Sequence, residues 1–256
     1  MRYTDEYNRF SKAAGLRTQQ ERLYQHGFGP KQAKAADKGY AQRVAEVGES
    51  AAAQNWHTIP VAGGRTDTKY RMIRRSESGD TDTANTIINE NVKNTNPAYN
   101  SGNPAYRQNC QRCVVAYEMR RRGYDVIAKP AFVDANGNLS KKDELYAKWP
   151  RIFKDARLYQ CSGLDGGKAA VIERMKNWGN GSVAEIQILW DASRAHVFVA
   201  ENVDGNIRFI DPQTGDVDCS VYFTKTIGYG TIISRIDNLE VTDLVEKCIK
   251  NRGGKL

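Results

Sequence analysis

The sequence predicts an α+β domain preceded by a polar, helical extension. Three observations predict it. Composition changes near residue 105, from Ala, Gln, Asn, Thr and Arg to a chain dense in large apolar residues. Helical periodicity dominates before residue 183. After it come period-two alternation and an Asp-Gly hairpin signal. Helices first and antiparallel strands afterwards make the α+β class. With 256 residues, the chain is long enough to bury a core without disulfide staples.

Tyr3, Tyr7, Phe10 and Ala14 recur at helical spacing, which predicts a helix from Tyr3 to Leu23. A second runs from Pro30, a good first-turn residue, to about Ala53. Residues 76–105 are polar and rich in turn formers, and read as a linker. The expected organisation is therefore an extension over 1–95, a linker to about 105, and a functional domain over 96–256. In that domain Asn109 is placed to cap a helix over Cys110–Arg122, with three arginines at its C-terminal end and Gly123 as its stop. Tyr124–Ala128 is a short strand before Pro130, and Lys168–Trp178 a helix closed by Gly179. Val183–Trp190 alternates, with Ala184, Ile186, Ile188 and Trp190 on one face and Glu185 and Gln187 on the other. His196–Asn202 and Ile207–Asp211 form a hairpin around Asp204-Gly205. Thr226–Ile233 is a further strand and Thr242–Lys250 a closing helix.

Composition excludes several classes. Hydrophobic residues are 40% and charged residues 27%, with a mean hydropathy of −0.66, and no run approaches a membrane span. The charged N-terminus lacks the apolar stretch of a secretory signal. Five cysteines, an odd number, do not read as a disulfide framework, so the expected compartment is a reducing cytoplasm. The net charge of +8 is spread evenly: residues 1–105 hold 15 basic and 11 acidic side chains, against 23 and 19 in the rest. Neither Arg71–Arg75 nor Arg120–Arg122 is a basic tail or an aromatic-studded stripe, so a solvated basic surface is expected rather than nucleic-acid binding.

For chemistry, Cys110 begins a helix, where unsatisfied N–H groups and the dipole favour a thiolate. Cys113, one turn on, reads as core. His26 and His57 have no evident partner. His196 has one: with Asp204-Gly205 as the loop, His196 faces Gln213, and Asp211 is its same-face diagonal neighbour. Diagonal neighbours lie within about 7–8 Å, close enough for a carboxylate to hold an imidazole. Cys110-x-x-Cys113 is a single knuckle without a second pair, which argues against a metal site. It follows a linker rather than a strand, which argues against a thioredoxin-like redox site.

The run Tyr106-Arg107-Gln108-Asn109-Cys110-Gln111-Arg112-Cys113, then Arg122-Gly123-Tyr124-Asp125-Val126 and Ala128-x-Pro130, resembles the opening of the papain-fold toxin domain. Trp178-Gly179-x-Gly181-Ser182, Ala195-His196-Val197-Phe198 and Phe209-Ile210-Asp211-Pro212-Gln213-Thr214-Gly215 resemble its later stretches. The family is that of protein-glutamine deamidases in bacterial polymorphic toxins and in phage- or mobile-element-encoded proteins. The resemblance spans about residues 100–225. It implies a papain-like fold, with a nucleophile helix packed on an antiparallel sheet, and a Cys110–His196–Asp211 triad. Ala195 stands where the family pattern has Gly. Papain-like enzymes also take an oxyanion donor from a glutamine several residues before the cysteine. Asn103 and Gln108 are the nearest candidates, neither at the expected offset, and Asn109 and Gln213 are further candidates for oxyanion or cleft.

The expected activity is thiol-dependent hydrolysis of a glutamine side chain on a partner protein, needing no metal or organic cofactor. The chain would act as a toxin or effector, delivered into a target cell or carried in a virion. An immunity or carrier protein is a further partner that the resemblance allows. A cysteine protease or acyl transferase on the same fold is the first alternative. A non-enzymatic virion or interaction protein is the second.

Overall fold

The Asp204-Gly205 turn organises the centre of the molecule. Both residues have positive φ, 52° and 81°, the requirement of a type I′ hairpin turn, where a left-handed backbone suits Asp and Gly. A computed structural model of the chain describes residues 56–64, 69–71, 81–146, 148–191, 194–226 and 230–252. The helices expected over Tyr3–Leu23 and Pro30–Ala53, and His26 after the first of them, lie outside the described residues.

In chain order the elements are β1 (Trp56–Thr58), β2 (Lys69–Arg71), α1 (Thr81–Thr95), α2 (Cys110–Arg121), β3 (Val126–Ala128), β4 (Tyr159–Cys161), α3 (Lys168–Trp178), β5 (Val183–Leu189), β6 (Ala195–Val203), β7 (Asn206–Ile210), β8 (Thr231–Arg235), α4 (Val245–Cys248) and β9 (Ile249–Asn251). Short 3₁₀ turns cover Pro104–Tyr106, Trp149–Arg151 and Ser220–Lys225. The main sheet has five antiparallel strands in the order β4-β8-β5-β6-β7. β1 pairs with β2, and β3 with β9, in separate two-stranded sheets. The fold is α+β, with helices packed on antiparallel sheets.

Helices cover both faces of the main sheet. On one face, Val183, Val197, Val199 and Ile210 share a core with Val114, Tyr117 and other residues of α2. On the other, Ala184, Ile186, Ile188, Phe198 and Phe209 pack with Val171 and Met175 of α3 and with Phe223. This double cover corrects one expectation. Glu185, expected on a polar face, is 1% exposed because α2 lies over that face.

The end of α2 follows its sequence. Gly123 takes φ 98°, its N–H donates to Arg120 O, and the Tyr124 N–H donates to Met119 O, the paired bonds of a Schellman stop. Arg120 and Arg121, expected on a solvated surface, are buried in ion pairs. Arg120 pairs with Asp125, and Arg121 with Glu201 and Glu118.

Four further expectations are corrected. Residues 81–95, read as linker, form α1, whose Ile87, Ile88, Asn91, Val92 and Thr95 are buried along one stripe. Polar residues around that narrow stripe masked its period. Residues 242–250 give only one helical turn, α4. Ile249 and Lys250 belong to β9, because pairing with β3 satisfies their backbone. The strand expected from Thr226 begins at Thr231. Finally, the apolar core is not confined to the region after residue 105: Ile59, Tyr70, Ile88 and Val92 share the cluster of α2.

Candidate active site

Cys110 is the first residue of α2, where the chain leaves the 3₁₀ turn Pro104–Tyr106. It is half-buried, whereas Cys113, Cys161, Cys219 and Cys248 are buried; all five are free thiols. Burial pushes the pKa of each of those four up, holding them as thiols.

His196 sits near the start of β6, and Asp211 directly follows β7. The register Val203↔Asn206 through Val199↔Ile210 carries the hairpin to the point where Asp211 reaches His196, as its sequence spacing indicated. His196 Nε2 lies 2.9 Å from Asp211 Oδ2. That bond leaves Nδ1 as the ring nitrogen open to Cys110, whose side chain also acts on the ring and pushes its pKa up. His196 is 7% exposed and Asp211 fully buried. Burial pulls the His196 pKa down, but the hydrogen bonds to Asp211 and Cys110 outweigh it and push the pKa up to about 10. Burial also opposes the Asp211 charge. The His196 contact, the Gln213 N–H and the Tyr222 hydroxyl together hold its carboxyl below the ordinary range.

The walls around this pair are aromatic. Trp190 stacks on the His196 ring with centroids 5.5 Å apart, and Tyr222 meets the ring edge-on at 5.6 Å. The Tyr222 hydroxyl donates to Asp211 Oδ2 at 2.9 Å. The Gln213 N–H donates to Asp211 Oδ1 at 2.9 Å. Asp211 therefore has three donors, and its carboxylate is fixed in direction as well as in charge.

Gln213 also reaches the start of α2. With its amide assigned by the two N–H groups it faces, the carboxamide oxygen accepts from the backbone N–H of Cys110 at 2.9 Å and of Asn109 at 3.0 Å. The opposite amide orientation would set an NH₂ against those two N–H donors, with only Asn109 Oδ1, at 3.2 Å, to accept from it. Asn109, expected to cap α2, makes no side-chain cap bond. Its amide instead donates to Lys129 O and Asn96 Oδ1, so a residue distant in sequence caps the helix. The structure thus brings Cys110, His196, Asp211, Gln213 and Asn109 together. It does not bring Asn103, which is exposed and accepts from Ala105 N at 3.0 Å to cap its own 3₁₀ turn. Gln108 is half-buried and has no side-chain hydrogen bond among the described residues.

Sequence reasoning missed Trp190 and Tyr222 as site residues. Trp190 shares strand parity with Ile188 and read as core. Tyr222 lies in an irregular turn with no periodic signal. Among the described residues, no group of three or more His, Cys, Asp or Glu side chains gathers to hold a metal ion, and no helix is long and apolar enough to cross a membrane.

Residues 108–216 match the family model for papain fold toxin 1, glutamine deamidase. The papain-fold match opens two residues before Cys110 and takes in His196, Asp211 and Gln213. It leaves out α1, β8 and Tyr222. No curated protein and no solved structure matches the chain.

Proposed function

We propose that this protein is a cysteine-dependent amidohydrolase that converts a glutamine side chain of a partner protein to glutamate. The observation that carries the reading is the His196 ring held between Asp211 and Cys110, inside a segment matching a glutamine deamidase family.

In this reading Asp211 fixes the ring so that the Nδ1 edge faces sulfur and stabilises the imidazolium. The Cys110 thiolate attacks the carboxamide carbon, forming the C–S bond and pushing the carbonyl π electrons onto oxygen. The tetrahedral adduct collapses as the C–N bond breaks, and the imidazolium gives its proton to the departing nitrogen, releasing ammonia. Neutral His196 then takes a proton from water, whose oxygen attacks the thioester. Collapse breaks the C–S bond and frees the glutamic acid side chain, which loses its proton to solvent, leaving the Cys110 thiolate beside the imidazolium as at the start.

The Cys110 N–H is the nearest backbone donor for the oxyanion. In the structure it already serves the Gln213 carboxamide oxygen. A substrate carboxamide oxygen would therefore take the place of a chemically identical one. That exchange suits a pocket for primary carboxamides and favours deamidation over peptide cleavage.

Hydroxylamine tests the covalent step. With a glutamine-bearing protein substrate, it should divert the thioester to a glutamyl hydroxamate while ammonia is still released, and the Cys110→Ala variant should form neither. New peptide N-termini without hydroxamate on a side chain would establish a protease instead.

A further inference from the structure

Asn96 stands directly after α1, in the stretch whose sequence reads as linker, yet it is 6% exposed. Its position comes from packing. Ile88 and Val92 of α1 share a core cluster with α2, and this seats the end of α1 beside the start of α2. From there the side chain reaches three segments. Its amide nitrogen donates to Tyr106 O at 2.9 Å and to Gln213 O at 3.0 Å, using both of its protons. Asn109 Oδ1 lies 3.4 Å from the same nitrogen, and the Asn109 amide donates to Asn96 Oδ1 at 3.3 Å.

These contacts join the two sides of the site. Tyr106 and Asn109 belong to the approach to Cys110. Gln213 follows Asp211 by two residues, donates to it through its N–H, and caps α2 through its side chain. No backbone pairing joins the Tyr106–Asn109 stretch to the Pro212–Thr214 turn, so their relative placement depends on side chains.

We infer that Asn96 is a positioning residue: it holds the start of the Cys110 helix in register with the Asp211–Gln213 turn, and so sets the thiol against the imidazole. The inference rests on the reading of Cys110 as nucleophile. Misplacement by about 1 Å, even by a change remote from the chemistry, can cost 10²-fold in rate. A side chain with two short bonds to buried carbonyls on opposite sides of the site is a strong point of control.

The experiment measures iodoacetamide alkylation of Cys110 across pH in the full chain, which needs no substrate. Asn96→Asp keeps the shape but cannot donate to Tyr106 O or Gln213 O. It should slow Cys110 alkylation at neutral pH by about tenfold and displace its pH profile, and on a glutamine substrate lower kcat with KM held within about twofold. Val92→Ala, in the same helix but outside the network, opens a core cavity. It should lower Tm and leave the alkylation profile of the folded protein as in wild type. A wild-type alkylation profile in Asn96→Asp, with only a lower Tm, overturns the proposal. Should Asn96→Asp not fold, Asn96→Ser, which keeps one donor, is read in the same way, and a wild-type profile there overturns it equally. A displaced profile without ammonia release from any glutamine substrate would support Asn96 and contradict the deamidase reading, so the two failures are distinct.

Discussion

Asp211 Oδ2 and His196 Nε2 lie 2.9 Å apart across a hairpin and fifteen residues apart in the chain, Asp211 one residue past Ile210 and His196 three before Val199, the last paired residues. The carboxylate is fully buried, and Tyr222 and the Gln213 N–H complete its donors. A buried carboxylate with this much hydrogen bonding stays ionised and keeps its neighbour protonated.

The pH dependence follows from the directions of the two shifts. His196 is raised, to about 10, so the stability it contributes is complete below its ordinary range near 6.5 and is lost as pH rises through about 10. Asp211 is lowered, so its contribution is complete above the ordinary carboxylate range and is lost as pH falls through its depressed value. The basic limb of kcat/KM should lie near pH 10 in wild type. In Asp211→Asn it should move down, because the largest upward influence on His196 is gone, and turnover should fall about 10²–10⁴-fold. A pH–rate profile of both proteins checks this; coincident basic limbs would contradict it.

Tyr222 acts on His196 through Asp211 and by packing against the ring. Tyr222→Phe removes one hydrogen bond to a charged group, about 1.5–3 kcal/mol, and should lower Tm by several degrees and turnover roughly tenfold or more. Steady-state kinetics with a melting curve separates the two effects. Wild-type turnover would mean that the remaining donors suffice to fix Asp211.

The folded unit should begin well before residue 96. A chain starting there lacks Ile59, Tyr70, Ile88 and Val92, all buried in the core of α2. At about 1.5–3 kcal/mol per buried side chain the loss is roughly 6–12 kcal/mol, comparable to a typical domain's whole stability of about 5–15 kcal/mol. That truncation should be unfolded, and one starting near residue 56 should fold. Circular dichroism and urea titration decide; a cooperative, stable fold from residue 96 would restore the boundary that composition suggests.

Glu185 carries a cost of the doubly covered sheet. It is 1% exposed, its Oε1 has no partner, and burial followed by the charge on Cys110 pushes its pKa well up. A raised carboxyl contributes stability below the ordinary range, near 4.3, and loses it as pH rises toward the folded value. Glu185→Gln should therefore gain on wild type between pH 5 and pH 8. Parallel urea midpoints for the two proteins over that range would refute it.

Much of this was legible in the sequence because it is local. Asp204-Gly205 announced its turn, the period-two runs gave β5, β6 and β7, and hairpin register carried Asp211 to His196. The helix start at Cys110 was legible as well. What escaped depends on contacts between distant segments. Glu185 looked solvated because nothing local says that α2 covers its face. Asn109 looked like the helix cap, but Gln213 takes that role after the chain has crossed the whole sheet. Ile249 looked helical until pairing with β3 supplied its partner. Asn96 looked like linker because the apolar stripe of α1 is narrow and its neighbours are polar.

The most direct measurement of the central claim follows a glutamine-bearing protein substrate by intact mass while ammonia is assayed in the same tube. Wild type should add about one dalton per converted glutamine with one ammonia released, and Cys110→Ala should do neither. Ammonia release and mass gain that survive Cys110→Ala, or substrate cleaved into fragments with no ammonia, would contradict the account.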